Sequence, residues 1–308
     1  MSIGKVANLM AQEVKLNSSS SHSKNISETA HLVAMYRALE TERPDALIQD
    51  PFARLLAGAL GEALMEMLGD KQNATNALAI RTRVIDELIL WLVESKRIDT
   101  VLNLGAGLDT RPYRLTLPAS LHWIEVDLPA ILSYKEQKLE NEKPSCLLEL
   151  VKLDLGDINV RNALFSRVNT EAKQVLVITE GLLVYLLPEQ VASLAADLHM
   201  QSNFRWWLFE LMSSFTLQQS RKYQVQKIFD QYFAAGNATL LFAPEEGSEF
   251  FRRYGWQVAQ LRSAWEESRR LKREIRFAWF LKVLIRWFAK ERWETFSQRD
   301  GIVLLERL

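Results

Sequence analysis

From Asp99 onward, short apolar runs alternate with helix-length stretches, and this alternation constrains the fold more than any other feature of the chain. The runs are "TVLNL", "LHWIEV", "LLELVKL", "QVLVIT", "RWWLFELM", "GWQVAQL" and "IVLLERL". Runs this short and this apolar fit strands buried on both faces, and the helix-length spacers between the first five fit crossover connections. The pattern predicts an α/β fold: a seven-stranded, mostly parallel sheet with helices on both faces. No internal repeat accompanies it.

Ahead of the sheet the spacing of apolar residues predicts three helices. The first starts near Ser27, an N-cap residue type, carries Ala30, Val33, Ala34 and Leu39, and stops at "ERPD". The second runs through "DPFARLLAGALGEALMEML", with Pro51 suited to a first helical turn. The third is "ALAIRTRVIDELILWLVESK", where Ile80, Val84, Leu88, Trp91 and Leu92 recur at helical spacing. These helices are expected to form an N-terminal cap over residues 26–98 on a core at 99–308, behind a polar, serine-rich leader at 1–25. Between the last two apolar runs, a long basic amphipathic helix is predicted at about 264–293.

The first run leads into "VLNLGAGLDTRPYRL", a strand, a glycine turn and a helix start. A dinucleotide turn of the three-glycine kind needs glycine at 105, 107 and 110, and position 110 is Thr110. Asp109 also stands where a pyrophosphate would be received, and its charge would repel that group. NAD and FAD are therefore disfavoured. An acidic, glycine-lined turn suits a phosphate-free cationic nucleoside, and S-adenosylmethionine is one. Gly105 and Gly107 would let the backbone approach it closely.

Acidic residues recur at the carboxyl ends of the next runs, where ligands of open α/β sheets bind. Asp127, twenty-two residues past Gly105 in "WIEVDLP", is placed for the ribose hydroxyls; Glu125 shares its face but lies short of the tip. In "KLDLGD", Asp154 is placed for an adenine amino group and Leu155 for the ring. In "VITEGLLVYL", Glu180 and Tyr185 stand after the fourth run. The competing reading is that each acid caps the helix that follows.

Composition narrows the partners. Lys plus Arg and Asp plus Glu both number 38, so no overall field attracts nucleic acid. The single cysteine, Cys146, fits a reducing compartment and excludes a cysteine-rich metal site, and no metal centre is expected. No signal-peptide core or run of about 18 apolar residues is present, so a cytoplasmic protein is expected.

Taken in order, "SETAHLVAMYRALETERPDALIQDPFARLL", "RTRVID", "NLGAGLDTRPYRL", "EVDLP", "LDLGD" and "ITEGLLVYL" resemble the leucine carboxyl methyltransferase family, which includes bacterial polyketide O-methyltransferases of the tetracenomycin type. The resemblance implies a class I methyltransferase Rossmann-like sheet and S-adenosylmethionine as methyl donor. It implies that Gly105 holds the methionine end, Asp127 the ribose, Asp154 and Leu155 the adenine, and Glu180 the amino group, with Ala106, Asp109 and Leu128 in the same turns. It further implies that Arg37 of "MYRALE" and Arg81 or Arg83 meet the methionine carboxylate. Arg81 and Arg83 are two apart and cannot share a helix face.

The expected activity is O-methylation of a small-molecule or natural-product acceptor, with a carboxylate favoured. A carboxylate is ionised at neutral pH and needs no base, only an orienting group, for which Tyr185 with Arg37 or Arg111 is available; Arg111 and Arg114 of "DTRPYRL" are expected to be structural or substrate-facing and not cofactor ligands. A phenol or alcohol needs a base, and among the four histidines only His31 and His199 are placed for that; His22 and His122 are not. Methylation of a protein C-terminal carboxylate is a further alternative. The basic helix is expected to pack on the sheet; a lid over a hydrophobic acceptor is the second reading, and contact with a membrane surface or an acidic partner the third.

Overall fold

The computed structural model describes residues 21–68, 71–214, 216–218, 240–273 and 300–308. Residues 1–20, which hold most of the expected leader, and 274–299, which hold most of the expected basic helix, lie outside the described residues.

All seven apolar runs are strands: β1 (Thr100–Leu104), β2 (His122–Asp127), β3 (Leu147–Lys152), β4 (Val175–Ile178), β5 (Phe204–Leu211), β6 (Trp256–Ser263) and β7 (Gly301–Arg307). They form one sheet in the order β3-β2-β1-β4-β5-β7-β6. The first five are parallel, and β7 is antiparallel to both β5 and β6. The strand order reverses between β1 and β4, which opens a crevice at their carboxyl ends.

Three helices precede the sheet: α1 (Ser21–Thr41), α2 (Ala53–Leu68, kinked at Gly58) and α3 (Lys71–Lys96). Two bounds differ from expectation. The first helix starts six residues before Ser27, and the third takes in most of the polar stretch "GDKQNATN" that has no apolar period. Within the sheet region lie α4 (Arg111–Arg114), α5 (Pro129–Lys138), α6 (Ile158–Glu171), α7 (Pro188–His199) and α8 (Ala264–Arg270). The last of these corrects the basic helix predicted at about 264–293: it ends at Arg270, and Lys272 has a positive φ of 55°, so 271–273 do not continue it.

Strand alternation sends successive side chains to opposite layers. One face of the sheet, with Leu102, Ile124, Val177 and Trp207, packs on Phe165 and Leu194 of α6 and α7. The other, with Val101, Trp123, Leu176 and Leu304, packs on Val84, Ile85, Leu88 and Leu92 of α3. A third apolar cluster joins Leu32 and Met35 of α1, Leu56 and Leu60 of α2, Leu132 of α5, and Leu108 from the turn after β1. That cluster fastens the N-terminal helices over the mouth of the crevice.

Candidate active site

A cavity of about 640 Å³ occupies the crevice, within the range of small-molecule sites. Its floor is the turn after β1. Gly105 and Gly107 adopt positive φ of 70° and 52°, a region costly for any residue with a Cβ. A Cβ at 105 would stand 3.3 Å from Leu182, and one at 107 would stand 3.3 Å from Ala30. The need for glycine thus comes from backbone geometry and these protein neighbours, where the sequence reading assigned it to ligand volume.

Asp127, at the tip of β2, lines the cavity and accepts the Gly107 amide at 2.6 Å and the Leu128 amide at 2.7 Å. Burial pushes its carboxyl up, and those two N–H groups oppose the shift. Glu125, two residues earlier, is fully buried against Lys135 and does not reach the cavity. Ala106, Leu128, Asp154, Leu155, Glu180 and Tyr185 all line the cavity. Asp154 is turned partly back on its own loop, accepting the Gly156 amide at 2.8 Å.

Asp109 and Arg111 line the cavity, and the contacts of Arg111 are those of the structural alternative. Arg111 is 2% exposed and donates Nε to Asp86 at 2.6 Å, while Nη1 lies 3.0 Å from Asp109 and 2.7 Å from Glu180. Three carboxylates around one guanidinium leave no net positive charge for an acceptor, so Arg111 is a strut and not an orienting group. Burial alone would raise the Asp109 carboxyl, but the Arg111 guanidinium holds it well below the usual range. Asp109 also accepts from Asn103 at 2.9 Å. Arg114 binds Asp86 with both terminal nitrogens, at 2.7 and 2.9 Å. Thr110, where a third glycine was sought, is fully buried and donates to Asp50 at 2.7 Å.

Arg37 reaches the cavity from α1. Its Nε donates to Asp50 at 2.8 Å and its Nη2 to the Leu108 carbonyl at 2.6 Å. The choice between the two arginines of "RTR" is settled by helix phase. Arg81 lines the cavity, with Nε 2.8 Å from Glu180 and Nη1 3.9 Å from Glu210. Arg83 is half exposed, pairs with Glu87 at 2.9 Å, and does not line the cavity; its expected cofactor role is withdrawn.

Neither remaining histidine reaches the cavity. His31 packs on Tyr134 with Nδ1 3.1 Å from the Ala57 carbonyl, and His199 sits against Trp256. His22 lies outside the described side chains. Tyr185 is hydrogen-bonded to Thr29, and burial raises its pKa. One residue was missed: Glu210, near the end of β5, which lines the cavity and accepts the Gly181 amide at 2.6 Å. The available signal was a single acid inside the apolar run "WWLFELM".

A family model for leucine carboxyl methyltransferase matches residues 30–199, more than half of the chain. The chain belongs to that family. This leucine carboxyl methyltransferase family member is 36% identical over 185 residues to a candidate S-adenosyl-L-methionine-dependent methyltransferase of Parafrankia sp., a match covering 57% of this chain and 59% of the relative. A similarly described Streptomyces coelicolor protein is 35% identical over 184 residues, covering 56% and 64%. The matched stretch thus spans less than two thirds of those relatives. Among solved structures, a DUF574 family protein from Streptomyces avermitilis superposes with a TM-score of 0.57 at 13% identity, covering 91% of this chain and 97% of that one. The shared architecture is the class I methyltransferase α/β fold. Among the described residues no helix is long and apolar enough to cross a membrane, and no group of side chains could hold a metal ion.

Proposed function

We propose that this protein is an S-adenosylmethionine-dependent O-methyltransferase acting on a small-molecule acceptor, its helices at 26–98 capping a core at 99–308. The observation that carries the reading is one cavity lined by Gly105, Gly107, Asp127, Asp154 and Glu180, each at the carboxyl end of one of four adjacent strands. The donor set fits the cofactor: Asp127 for the ribose diol, Asp154 and Leu155 for adenine, Arg37 and Arg81 for the carboxylate, and acids rather than phosphate-binding amides near the cation. When bound, the cofactor supplies an electrophilic methyl group on a sulfonium.

The protein's own contribution is to orient the acceptor oxygen in line and exclude water, which supplies much of the rate in such displacements. A carboxylate acceptor, favoured by the sequence, needs an orienting cation. With Arg37 and Arg81 assigned to the methionine carboxylate, Arg111 ringed by three carboxylates and Arg114 paired with Asp86, none of these four arginines is left for an acceptor. A hydroxyl acceptor is the second reading, and Glu210 favours it.

Calorimetric titration tests the function. S-adenosylmethionine and S-adenosylhomocysteine are expected to bind and NAD is not; binding of NAD alone overturns the assignment. In the same assay Arg81→Ala should weaken S-adenosylhomocysteine by about tenfold or more, the worth of one charge-assisted hydrogen bond. Arg83→Ala should change affinity negligibly and stability by less than about 0.5 kcal/mol, as for an exposed i,i+4 pair. Equal effects from the two would reverse the assignment of helix faces.

A further inference from the structure

Glu210 of β5 lines the cavity with Oε1 on the Gly181 amide, while Oε2, itself buried, has no hydrogen-bond partner among the described residues. Arg81 Nη1 stands 3.9 Å from Oε1, outside hydrogen-bond reach. Leu182, Leu186, Leu211, Met212 and Phe242 add apolar lining to the same cavity. Burial pushes the Glu210 carboxyl up to about 7; Arg81 opposes the shift and Glu180 adds to it. The charged and titratable groups facing it are therefore Arg81 from α3, Glu180 from the turn after β4, and Tyr185 from the 3-10 turn Leu183–Tyr185.

We infer that Glu210 is the proton acceptor for the hydroxyl of an apolar acceptor, and that the same carboxylate discriminates against acceptors that carry their own negative charge. The inference rests on the methyltransferase reading and deepens it. A hydroxyl must lose its proton as it attacks, and a base serves best when its pKa lies near the working pH. Among the described residues no histidine lines the cavity, and Glu210 is a cavity-lining acid with an unpartnered carboxylate oxygen. In the step, the acceptor O–H bond breaks and its proton passes to a Glu210 oxygen. The acceptor oxygen forms the new O–CH3 bond as the methyl–sulfur bond breaks, its electron pair staying on sulfur as a neutral thioether. Glu210 then returns the proton to solvent. A carboxylate acceptor would instead stand beside the Glu210 carboxylate, where burial leaves the repulsion weakly screened.

The test uses the full chain saturated with S-adenosylhomocysteine and titrated calorimetrically with 2-naphthol and 2-naphthoate, matched in ring and differing in charge. At about pH 8 the wild type should bind naphthol at least tenfold more tightly. At about pH 6, below the raised Glu210 value, naphthoate should tighten while naphthol, whose acceptor has lost its charge, should not. Glu210→Gln should show at pH 8 the weakened discrimination that the wild type shows at pH 6. Naphthoate binding as tightly as naphthol at pH 8, a preference unmoved by pH, an unchanged preference in the Gln variant, or binding of neither probe each overturns the inference. The wild-type pH series stands whether or not the variant folds. Failure of S-adenosylhomocysteine to bind would overturn the methyltransferase reading instead.

Discussion

Asp127→Ala should weaken binding of S-adenosylmethionine and S-adenosylhomocysteine alike by about 10²- to 10⁴-fold, the loss of two charge-assisted hydrogen bonds of about 1.5–3 kcal/mol each. The carboxylate sits at the tip of β2, where it already receives the Gly107 and Leu128 amides. Those contacts fix its orientation and leave its remaining lone pairs for a diol. Both ligands carry the same ribose, so both should suffer equally. Thermal melting of the unliganded variant separates ligand binding from fastening of the turn: a folded variant with unchanged affinity would leave Asp127 as a clamp on the glycine turn alone.

Arg111→Met should produce the largest loss of stability. The guanidinium is 2% exposed and stands among Asp86, Asp109 and Glu180, so its removal leaves buried carboxylates uncompensated. Breaking a buried pair in this way costs about 3–5 kcal/mol, and a fall in Tm on the order of 10 °C is expected. The pH dependence identifies the cause. In the wild type Arg111 holds Asp109 and Glu180 below the usual carboxylate range, so their stabilisation is present above the unfolded pKa of about 4 and is lost as pH falls through the folded value. Without Arg111, burial raises both groups above their unfolded values, so the variant recovers as pH falls. The gap in Tm should therefore be larger at about pH 8 than at about pH 5. A gap independent of pH would assign the loss to packing.

The sheet was legible because buried strands must be apolar on both faces and their spacers must be long enough to cross over. Helix bounds were less so: "KQNATN" is helical without any apolar period, because it belongs to a helix whose packing face begins later. Within the site, the acidic tips could be placed from sequence, since each follows a strand. The roles of Arg111, Asp50 and Thr110 could not. Arg111 gathers carboxylates from positions 86, 109 and 180, and the Asp50–Thr110 hydrogen bond joins residues 60 apart, contacts that only tertiary structure creates. The phase of Arg81 and Arg83 followed once α3 was packed on the sheet. Glu210 was hidden by its strand, whose apolar neighbours advertise burial and not chemistry.

The hydrogen bond from Arg37 to the Leu108 carbonyl spans 71 residues of chain. During synthesis α1 and α2 emerge well before the glycine turn that receives them, since chains are made from the N-terminus. They pair with each other at once, but the face they later lay over the crevice stays uncovered until the segment from β1 to α5 has emerged. That end of the cavity is therefore closed only by chain from both sides of the first two strands, and it cannot be complete before residues 100–138 have been made.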